Sequence, residues 1–146
     1  MYKKVCVLGG TGFVGSYIVA RLVKQGCTVR ILTRRREQHR DLLVLPTVEI
    51  IEADVQHQPA LERYFAGQDA VINLVGILNE KRDNGLGFRR AHVDLAEKVL
   101  HACQKLGIQR LLHMGALHAD ARNGVSYYLR SKGEALDLVH AATDLY

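Results

Sequence analysis

The sequence predicts an α/β protein whose core is an open, parallel, doubly wound β-sheet. Five short apolar segments alternate with segments in which apolar residues recur at helical spacing. The first of these strand segments, Val5–Leu8, is apolar throughout, as expected for a parallel strand with helices on both of its faces. Because the joints are short and no internal repeat is present, right-handed β-α-β crossovers within one domain account for the pattern.

The predicted elements follow in order along the chain. We predict strands at Val5–Leu8, Thr28–Thr33, Val48–Ile51, Ala70–Val75 and Arg110–Met114. We predict helices from Val14 to a stop at Gly26, around Pro59–Phe65, at Phe88–Leu106 and from about Ser126 to Ala142, with a polar helical stretch before Pro46. The charged segment at 79–87 is predicted to be a surface loop.

The composition limits the class of protein. Of the 146 residues, 48 % are hydrophobic and 24 % are charged, which is typical of a soluble globular domain with a sizeable core. The net charge of +5 is spread along the chain and aromatic residues do not alternate with Lys and Arg, so we do not expect nucleic acid as a partner. No stretch approaches the roughly 20 apolar residues that span a bilayer, which leaves only peripheral membrane association open.

Cysteine and histidine patterns predict no metal site. Cys6, Cys27 and Cys103 are odd in number and far apart, so neither a disulfide framework nor a zinc ribbon is expected. A reduced, cytoplasmic protein is the prediction that follows. The seven histidines lack the spacing of a ligand set, so we expect no metal.

A glycine-rich turn joins the first strand to the first helix. Gly9, Gly12 and Gly15 have the spacing G-x-x-G-x-x-G. A dinucleotide site needs a turn with positive φ, a backbone close to the pyrophosphate and a helix packed tightly on the strand. The free N–H groups and the positive dipole end of the helix would then face the phosphates. Glycines also form tight turns without a ligand, but the strand before and the helix after favour a nucleotide site.

The end of the second strand indicates which dinucleotide would bind. A site for NAD(H) usually has an acidic residue there, which holds the ribose 2′-hydroxyl. This chain has Thr33-Arg34 followed by Arg35, and a guanidinium suits the 2′-phosphate of NADP(H) in charge and geometry. The alternative is a solvated, basic start of a surface helix. We therefore expect NADP(H) in preference to NAD(H), held mainly by Arg34.

Four segments of the chain carry a family resemblance: Val5–Gly15, Thr33-Arg34, Asp54-Val55 and Tyr128-Leu129-Arg130-Ser131-Lys132. Together they resemble the extended or atypical branch of the short-chain dehydrogenase/reductase superfamily, which has the Rossmann fold. Leu111–Met114 followed by Tyr128–Ala135 is similar to a bacterial NAD(P)-binding family related to the nucleotide-binding accessory subunit of respiratory complex I. Sugar-nucleotide epimerases and dehydratases are more distant relatives.

The resemblance implies a role for each matching residue. The pyrophosphate would be contacted by Gly9, Thr11, Gly12, Phe13, Val14 and Gly15. The adenosine half would be held by Arg34, Arg35, Asp54 and Val55, and the ribose would be followed by Leu74, Val75 and Gly76. Lys132 would hold the nicotinamide ribose, and in active members the tyrosine at the position of Tyr128 is the general acid/base.

Gly115 departs from the pattern of the active members. The superfamily normally has Ser or Thr here, at the end of the fifth strand, where the hydroxyl hydrogen-bonds the reacting carbonyl. Losing an oxyanion-type donor typically costs about 10²–10³ in rate. Ser126 is only two residues from Tyr128, so we do not expect it to replace the missing group. Cofactor binding does not depend on this hydroxyl.

Two functions therefore stay open. The first is an NADP(H)-binding subunit or sensor that acts with a protein partner or as a homo-oligomer. The alternative is an NAD(P)-dependent oxidoreductase or sugar-nucleotide epimerase/dehydratase that uses Tyr128 and Lys132. The relatives continue into a sixth strand and a substrate-binding region, so we expect residues 1–146 to be the dinucleotide-binding domain of a longer protein.

Overall fold

The computed structural model, which describes residues 2–36, 45–142 and 145, contains a sheet of five parallel strands. These are β1 (Lys4–Leu8), β2 (Thr28–Thr33), β3 (Val48–Glu52), β4 (Ala70–Asn73) and β5 (Arg110–His113). Their spatial order is β3-β2-β1-β4-β5, so the chain moves outwards from β1 to β3 and then crosses to the other side of β1. This reversal leaves a crevice at the carboxyl ends of β1 and β4, where such sheets bind ligands.

The helices, which alternate with the strands along the chain, pack on the faces of the sheet. They are α1 (Phe13–Lys24), α2 (Gln58–Phe65), α3 (Leu86–Phe88), α4 (Leu95–Leu106) and α5 (Tyr127–Ala141). A π-helical segment, Arg89–Asp94, joins α3 to α4, and the backbone stays in the right-handed helical region at both of its junctions. Across the described ranges, none of the helices has the length and apolar character that crossing a membrane requires.

The two faces of the sheet form two apolar clusters. Val7 of β1 packs with Val19 of α1 on one face. Leu8, whose side chain points to the opposite face, packs with Phe65 of α2 and Val99 of α4. All five side chains are at most 1 % exposed, and each such burial contributes about 1.5–3 kcal/mol to folding. The predicted doubly wound parallel sheet is thereby confirmed.

The predicted end of the fourth strand is wrong. The strand ends at Asn73 instead of Val75, because the Asn73 Oδ1 accepts the N–H of Val75 at 3.1 Å and turns the chain. The fifth strand similarly ends at His113, one residue before the predicted Met114. Both strands therefore end earlier than predicted, so the loops at the carboxyl edge of the sheet are longer.

The long helix begins at Leu86, two residues earlier than predicted. Glu80 fixes this start, since its carboxylate accepts the N–H groups of Gly85, Gly87 and Phe88. Burial of Glu80 would raise its pKa, but hydrogen bonds from these backbone N–H groups and from that of Asn84 outweigh burial and hold the pKa below its usual value. The polar helical stretch predicted before Pro46 falls on residues 37–44, outside the described residues.

Candidate functional site

The turn after β1 is shaped by contact with the end of β4. Gly9 has φ of +76°, a left-handed conformation that favours glycine. A Cβ on Gly9 would also lie 3.0 Å from the carbonyl carbon of Leu74 and the nitrogen of Val75. The Gly9 carbonyl accepts the N–H of Gly12 at 3.2 Å and closes the turn.

Gly15 and Gly12 serve different purposes. Gly15 is buried in α1, and an added Cβ would lie 2.7 Å from the Cα and carbonyl carbon of Gly10. Its absent side chain lets the helix pack on the turn. Gly12 is exposed, and a Cβ there would meet only the Gly9 carbonyl oxygen at 3.5 Å. The fold therefore requires glycine at position 15, whereas at position 12 glycine leaves open space above the turn.

The first turn of α1 presents backbone donors. Gly12 is the N-cap residue, in extended conformation with φ of −77° and ψ of −178°, and no side chain caps the helix. The first N–H groups of a helix have no partner within it, so this end offers donors and positive potential to an anion. Phe13 is 81 % exposed and Val14 is 45 % exposed beside these donors.

A cavity of about 350 Å³ extends along the carboxyl edge from β2 to β4. Six of the predicted cofactor residues line it: Gly9, Thr11, Arg34, Arg35, Val55 and Val75. Five further lining residues were not among the predicted cofactor residues: Leu32, Thr33, Gln56, Ile77 and Ala91. Leu74 lies elsewhere, in an apolar groove between α1 and β5 with Ile18 and Leu112. Leu74 and Val75 are adjacent in the chain, and only Val75 lines the cavity, since their side chains face opposite sides.

Arg34, which lines this cavity, also lies close to Asp54. The Arg34 Nη2 lies 3.9 Å from the Asp54 Oδ1, and the two side chains are 64 % and 58 % exposed. The same Asp54 oxygen accepts the N–H of Gln56 at 2.9 Å, which fixes the carboxylate after β3. An exposed ion pair of this kind contributes only about 0–1 kcal/mol, so the guanidinium is free to move to a stronger anion.

Lys132 lies at the other end of the carboxyl edge. It is 4 % exposed, and its Nζ donates to the Met114 carbonyl at 2.8 Å. Burial lowers the pKa of Lys132 below its usual value. A Cβ on Gly76 would lie 3.7 Å from this Nζ, so the turn after β4 passes directly over the ammonium. An ammonium has three donors, and the Met114 carbonyl uses one of them.

Tyr128 lines a second cavity. This cavity, of about 660 Å³, is also lined by Leu78, Phe88 and Ser126 among others. The Tyr128 ring stands edge-on to the Phe88 ring, with centroids 5.9 Å apart. Ser126 is the N-cap of α5, and its Oγ accepts the N–H of Leu129 at 3.1 Å. Tyr128 and Lys132 are one helical turn apart on α5, as predicted from their spacing.

The position of Gly115 is open. A Cβ there would meet only Leu136 Cδ1, at 4.0 Å. No steric demand therefore explains glycine at this position, and a serine side chain would fit. The hydroxyl that active relatives are expected to have is simply absent from the end of β5.

Two histidines were assigned no role in the site from the sequence: His92, which is buried, and His113, which is half-buried. Burial, and after it the nearby charge of Lys132, together lower the pKa of His92 and of His113 to about 4. Both rings are therefore neutral at pH 7. His113 Nε2 is a buried nitrogen with no hydrogen-bond partner in the described part of the chain. No group of three His, Cys, Asp or Glu side chains in that part converges as a metal site.

The family model for the NAD dependent epimerase/dehydratase family matches residues 5–140. The chain belongs to this family. The match includes the glycine turn, the Arg34–Asp54 pair and the Tyr128–Lys132 turn of helix. It confirms the predicted relationship to epimerases and dehydratases of the short-chain dehydrogenase/reductase type.

Curated relatives of this epimerase/dehydratase chain include subunits of complex I, as the resemblance predicted. The NADH-ubiquinone oxidoreductase 40 kDa subunit of Neurospora crassa is 33 % identical over 132 residues, which are 88 % of this chain and 35 % of the relative. The ceramide reductase of Caulobacter vibrioides is 31 % identical over 141 residues, which are 94 % of this chain and 42 % of the relative. The chain thus spans less than half the length of these relatives.

Solved structures have the same fold. The UDP-glucose 4-epimerase of Brucella ovis, solved in complex with NAD, superposes with a TM-score of 0.83 over 95 % of this chain and 47 % of that one, at 21 % identity. The Bordetella bronchiseptica enzyme WbmG, also with NAD, gives 0.83 over 98 % of this chain and 51 % of that one, at 19 % identity. At such identities the similarity establishes the Rossmann-like fold alone.

Proposed function

We propose that this chain binds NADP(H) along the carboxyl edge of its sheet and acts as a nucleotide-binding subunit or sensor. The pyrophosphate lies at the uncapped N-terminus of α1 above Gly12. Because Arg34 and Asp54 are on the β2–β3 side and Lys132 is on the β4–β5 side, the adenosine half lies towards Arg34 and the nicotinamide half towards Lys132. The exposed Arg34 guanidinium at the rim of the cavity is the observation that carries the choice of NADP(H).

The preference for NADP(H) follows from the charge of Arg34. A 2′-phosphate offers a stronger anion than the Asp54 carboxylate that Arg34 now contacts, and hydrogen bonds to charged groups contribute about 1.5–3 kcal/mol. Removing the guanidinium should therefore weaken NADPH binding by about 10- to 100-fold and leave NADH binding nearly unchanged.

Calorimetric titration of NADPH and NADH into the wild-type protein and Arg34→Ala tests this proposal. Arg36→Ala is the matched control, because this exposed arginine is not among the residues that line the cavity. Tighter binding of NADH by the wild-type protein would overturn the choice of cofactor. An equal loss of NADPH affinity in both variants would attribute the effect to overall charge instead of a site.

A subunit or sensor role is favoured by Gly115. A bound nicotinamide would supply or accept hydride, but the chain offers no hydroxyl at position 115 to polarise a carbonyl. Complex I subunits among the relatives favour a protein partner, with a homo-oligomer as the other form of association. A cytoplasmic location stays a prediction. We also propose that residues 1–146 are the dinucleotide-binding domain of a longer protein.

The second candidate function is turnover by an NAD(P)-dependent oxidoreductase or epimerase/dehydratase. Its support is the geometry of α5, where Tyr128 opens to a cavity and Lys132 lies under the Gly76 turn. In this function Lys132 orients the nicotinamide ribose and Tyr128 transfers a proton at its phenolic oxygen. If Tyr128→Phe abolished a measured turnover and left NADPH affinity unchanged, the binding-only function would be wrong.

A further inference from the structure

We infer that His92 is a positioning residue, which aligns the nicotinamide half of the dinucleotide by tying the turn after β4 to helix α5. The inference rests on the proposed nucleotide site. It concerns a side chain that contacts neither cavity, because His92 is only 2 % exposed. It acts through the residues on either side of it.

The protonation of the His92 ring follows from its partners. Its Nε2 lies 3.1 Å from the backbone nitrogen of Ile77, and because a backbone N–H only donates, Nε2 must accept. The proton of the neutral ring is therefore on Nδ1, which donates to the Ser131 Oγ at 2.8 Å. The Ser131 hydroxyl in turn donates to the Tyr128 carbonyl at 2.9 Å. The donor and the acceptor are therefore fixed in each of these three hydrogen bonds.

This chain of bonds, Ile77–His92–Ser131–Tyr128, connects two parts of the proposed site. Ile77 lines the cavity that begins at the glycine turn. The neighbouring Gly76 lies above both His92 and Lys132, since a Cβ on it would be 3.5 Å from His92 Nε2 and 3.7 Å from Lys132 Nζ. Ser131 directly precedes Lys132. His92 therefore sets the separation between the turn that covers the ribose and the ammonium that holds it.

His92 lies in the π-helical segment Arg89–Asp94. His92 and Val93 are the buried residues of this segment, at 2 % and 1 % exposure. Single π-turns within α-helices are rare and are frequent at functional sites. The His92 ring stacks on Phe88 with centroids 5.8 Å apart and meets the Tyr128 ring edge-on at 5.5 Å. Packing thus fixes the plane of the His92 ring, and the two hydrogen bonds fix which ring nitrogen faces Ile77 and which faces Ser131.

The position of His92 at one end of the site gives the inference a specific consequence. Arg34 and Asp54, which would hold the adenosine half, are on the other side of β1. Loss of the His92 bonds should weaken binding of a whole dinucleotide and spare a ligand that contains only the adenosine half. A general loss of stability would weaken both ligands to the same degree.

The test compares two variants with two ligands by calorimetry. His92→Phe keeps an aromatic ring between Phe88 and Tyr128 but removes both hydrogen bonds, whereas His92→Gln keeps one acceptor and one donor. The ligands are NADPH and adenosine 2′,5′-bisphosphate, or NADH and ADP if the wild-type protein prefers NADH. We expect His92→Phe to weaken the dinucleotide about tenfold and the fragment less than twofold, and His92→Gln to recover most of the loss.

A second set of variants covers the case in which His92→Phe is poorly folded. Ser131→Ala breaks the same chain of bonds at its centre, so it should also weaken the dinucleotide selectively. The double variant, which carries both His92→Phe and Ser131→Ala, should bind the dinucleotide no more weakly than His92→Phe alone, because both changes break the same series of hydrogen bonds. Unchanged dinucleotide affinity, or equal losses for both ligands, would overturn the role of His92. Failure of the wild-type protein to bind either ligand would overturn the nucleotide site, and this inference with it.

Discussion

Gly15→Ala should destabilise the protein, because helix α1 packs on the glycine turn without room for a Cβ. The added Cβ would lie 2.7 Å from the Cα and carbonyl carbon of Gly10, and closer still to the Gly9 carbonyl oxygen. All of these are backbone atoms, so no change of side-chain rotamer relieves the contact. The helix or the turn must move as a unit.

The expected loss follows from two opposing effects. Overpacking of a buried position costs typically about 1–3 kcal/mol, and contact with backbone atoms puts Gly15 at the upper end of that range. Alanine favours the helical conformation over glycine by about 1 kcal/mol. The net destabilisation is therefore about 2 kcal/mol, which lowers the Tm of a domain of this size by roughly 4–8 °C.

Thermal unfolding followed by circular dichroism measures this loss, and Gly12→Ala is the matched control. A Cβ on Gly12 meets only the Gly9 carbonyl oxygen, at 3.5 Å, so its main cost is a poorer N-cap, under about 1 kcal/mol. The Tm of Gly12→Ala should lie close to that of the wild-type protein. This variant should instead bind NADPH more weakly, because the methyl group fills the space above the turn. A Gly15→Ala protein as stable as wild type would refute the packing argument.

Three further predictions concern the histidines His92 and His113, the carboxylate Glu80 and the glycine Gly115. Because the pKa of His92 and of His113 is about 4 in the folded chain and about 6.5 when unfolded, the unfolded chain takes up protons first as the pH falls. The contribution of the neutral histidines to the free energy of unfolding is therefore complete above about pH 6.5. Urea unfolding should show that this free energy falls by about 1–2 kcal/mol per histidine between pH 7 and 5. An unchanged free energy of unfolding over this range would contradict the neutral state of the two rings. Glu80→Gln should lower the Tm, since the charged acceptor of three N–H groups is lost, whereas the exposed Glu97→Gln should leave it unchanged; equal Tm values for both variants would argue against the capping role. Gly115→Ser should leave NADPH affinity unchanged, and carbonyl reduction by this variant in the absence of wild-type activity would assign the inactivity to the missing hydroxyl.

The order of strands and helices could be predicted because each element has its own local pattern. The β2 strand, Thr28–Thr33, has the predicted bounds because its β-branched residues lie between the turn at Gly26 and a run of arginines. The predicted end of β4 failed for a physical reason. Asn73 lies among apolar residues in the sequence, but its side-chain oxygen accepts the Val75 N–H and turns the chain out of the strand.

The candidate site was only partly predictable. The glycine turn has a local pattern, and Arg34 and Asp54 each follow a strand, so parallel topology alone brings them to one edge. The His92–Ser131 hydrogen bond joins residues 39 positions apart, and no local sequence pattern predicts it. A Ser directly before Lys132 and a His on the buried face of the long helix are ordinary until the fold pairs them. The sequence likewise does not reveal that Gly15 is required by packing and Gly12 is not.

The central claim, that the carboxyl edge of this sheet binds NADP(H), is tested most directly by native mass spectrometry. The purified protein is incubated with equal concentrations of NADPH and NADH, and the masses of the bound species identify the preferred ligand, because the 2′-phosphate distinguishes the two. We predict a complex with one NADPH per chain and a weaker signal for NADH, with the NADPH complex reduced in Arg34→Ala. A chain that retains neither dinucleotide, or that retains NADH in preference to NADPH, would contradict the account.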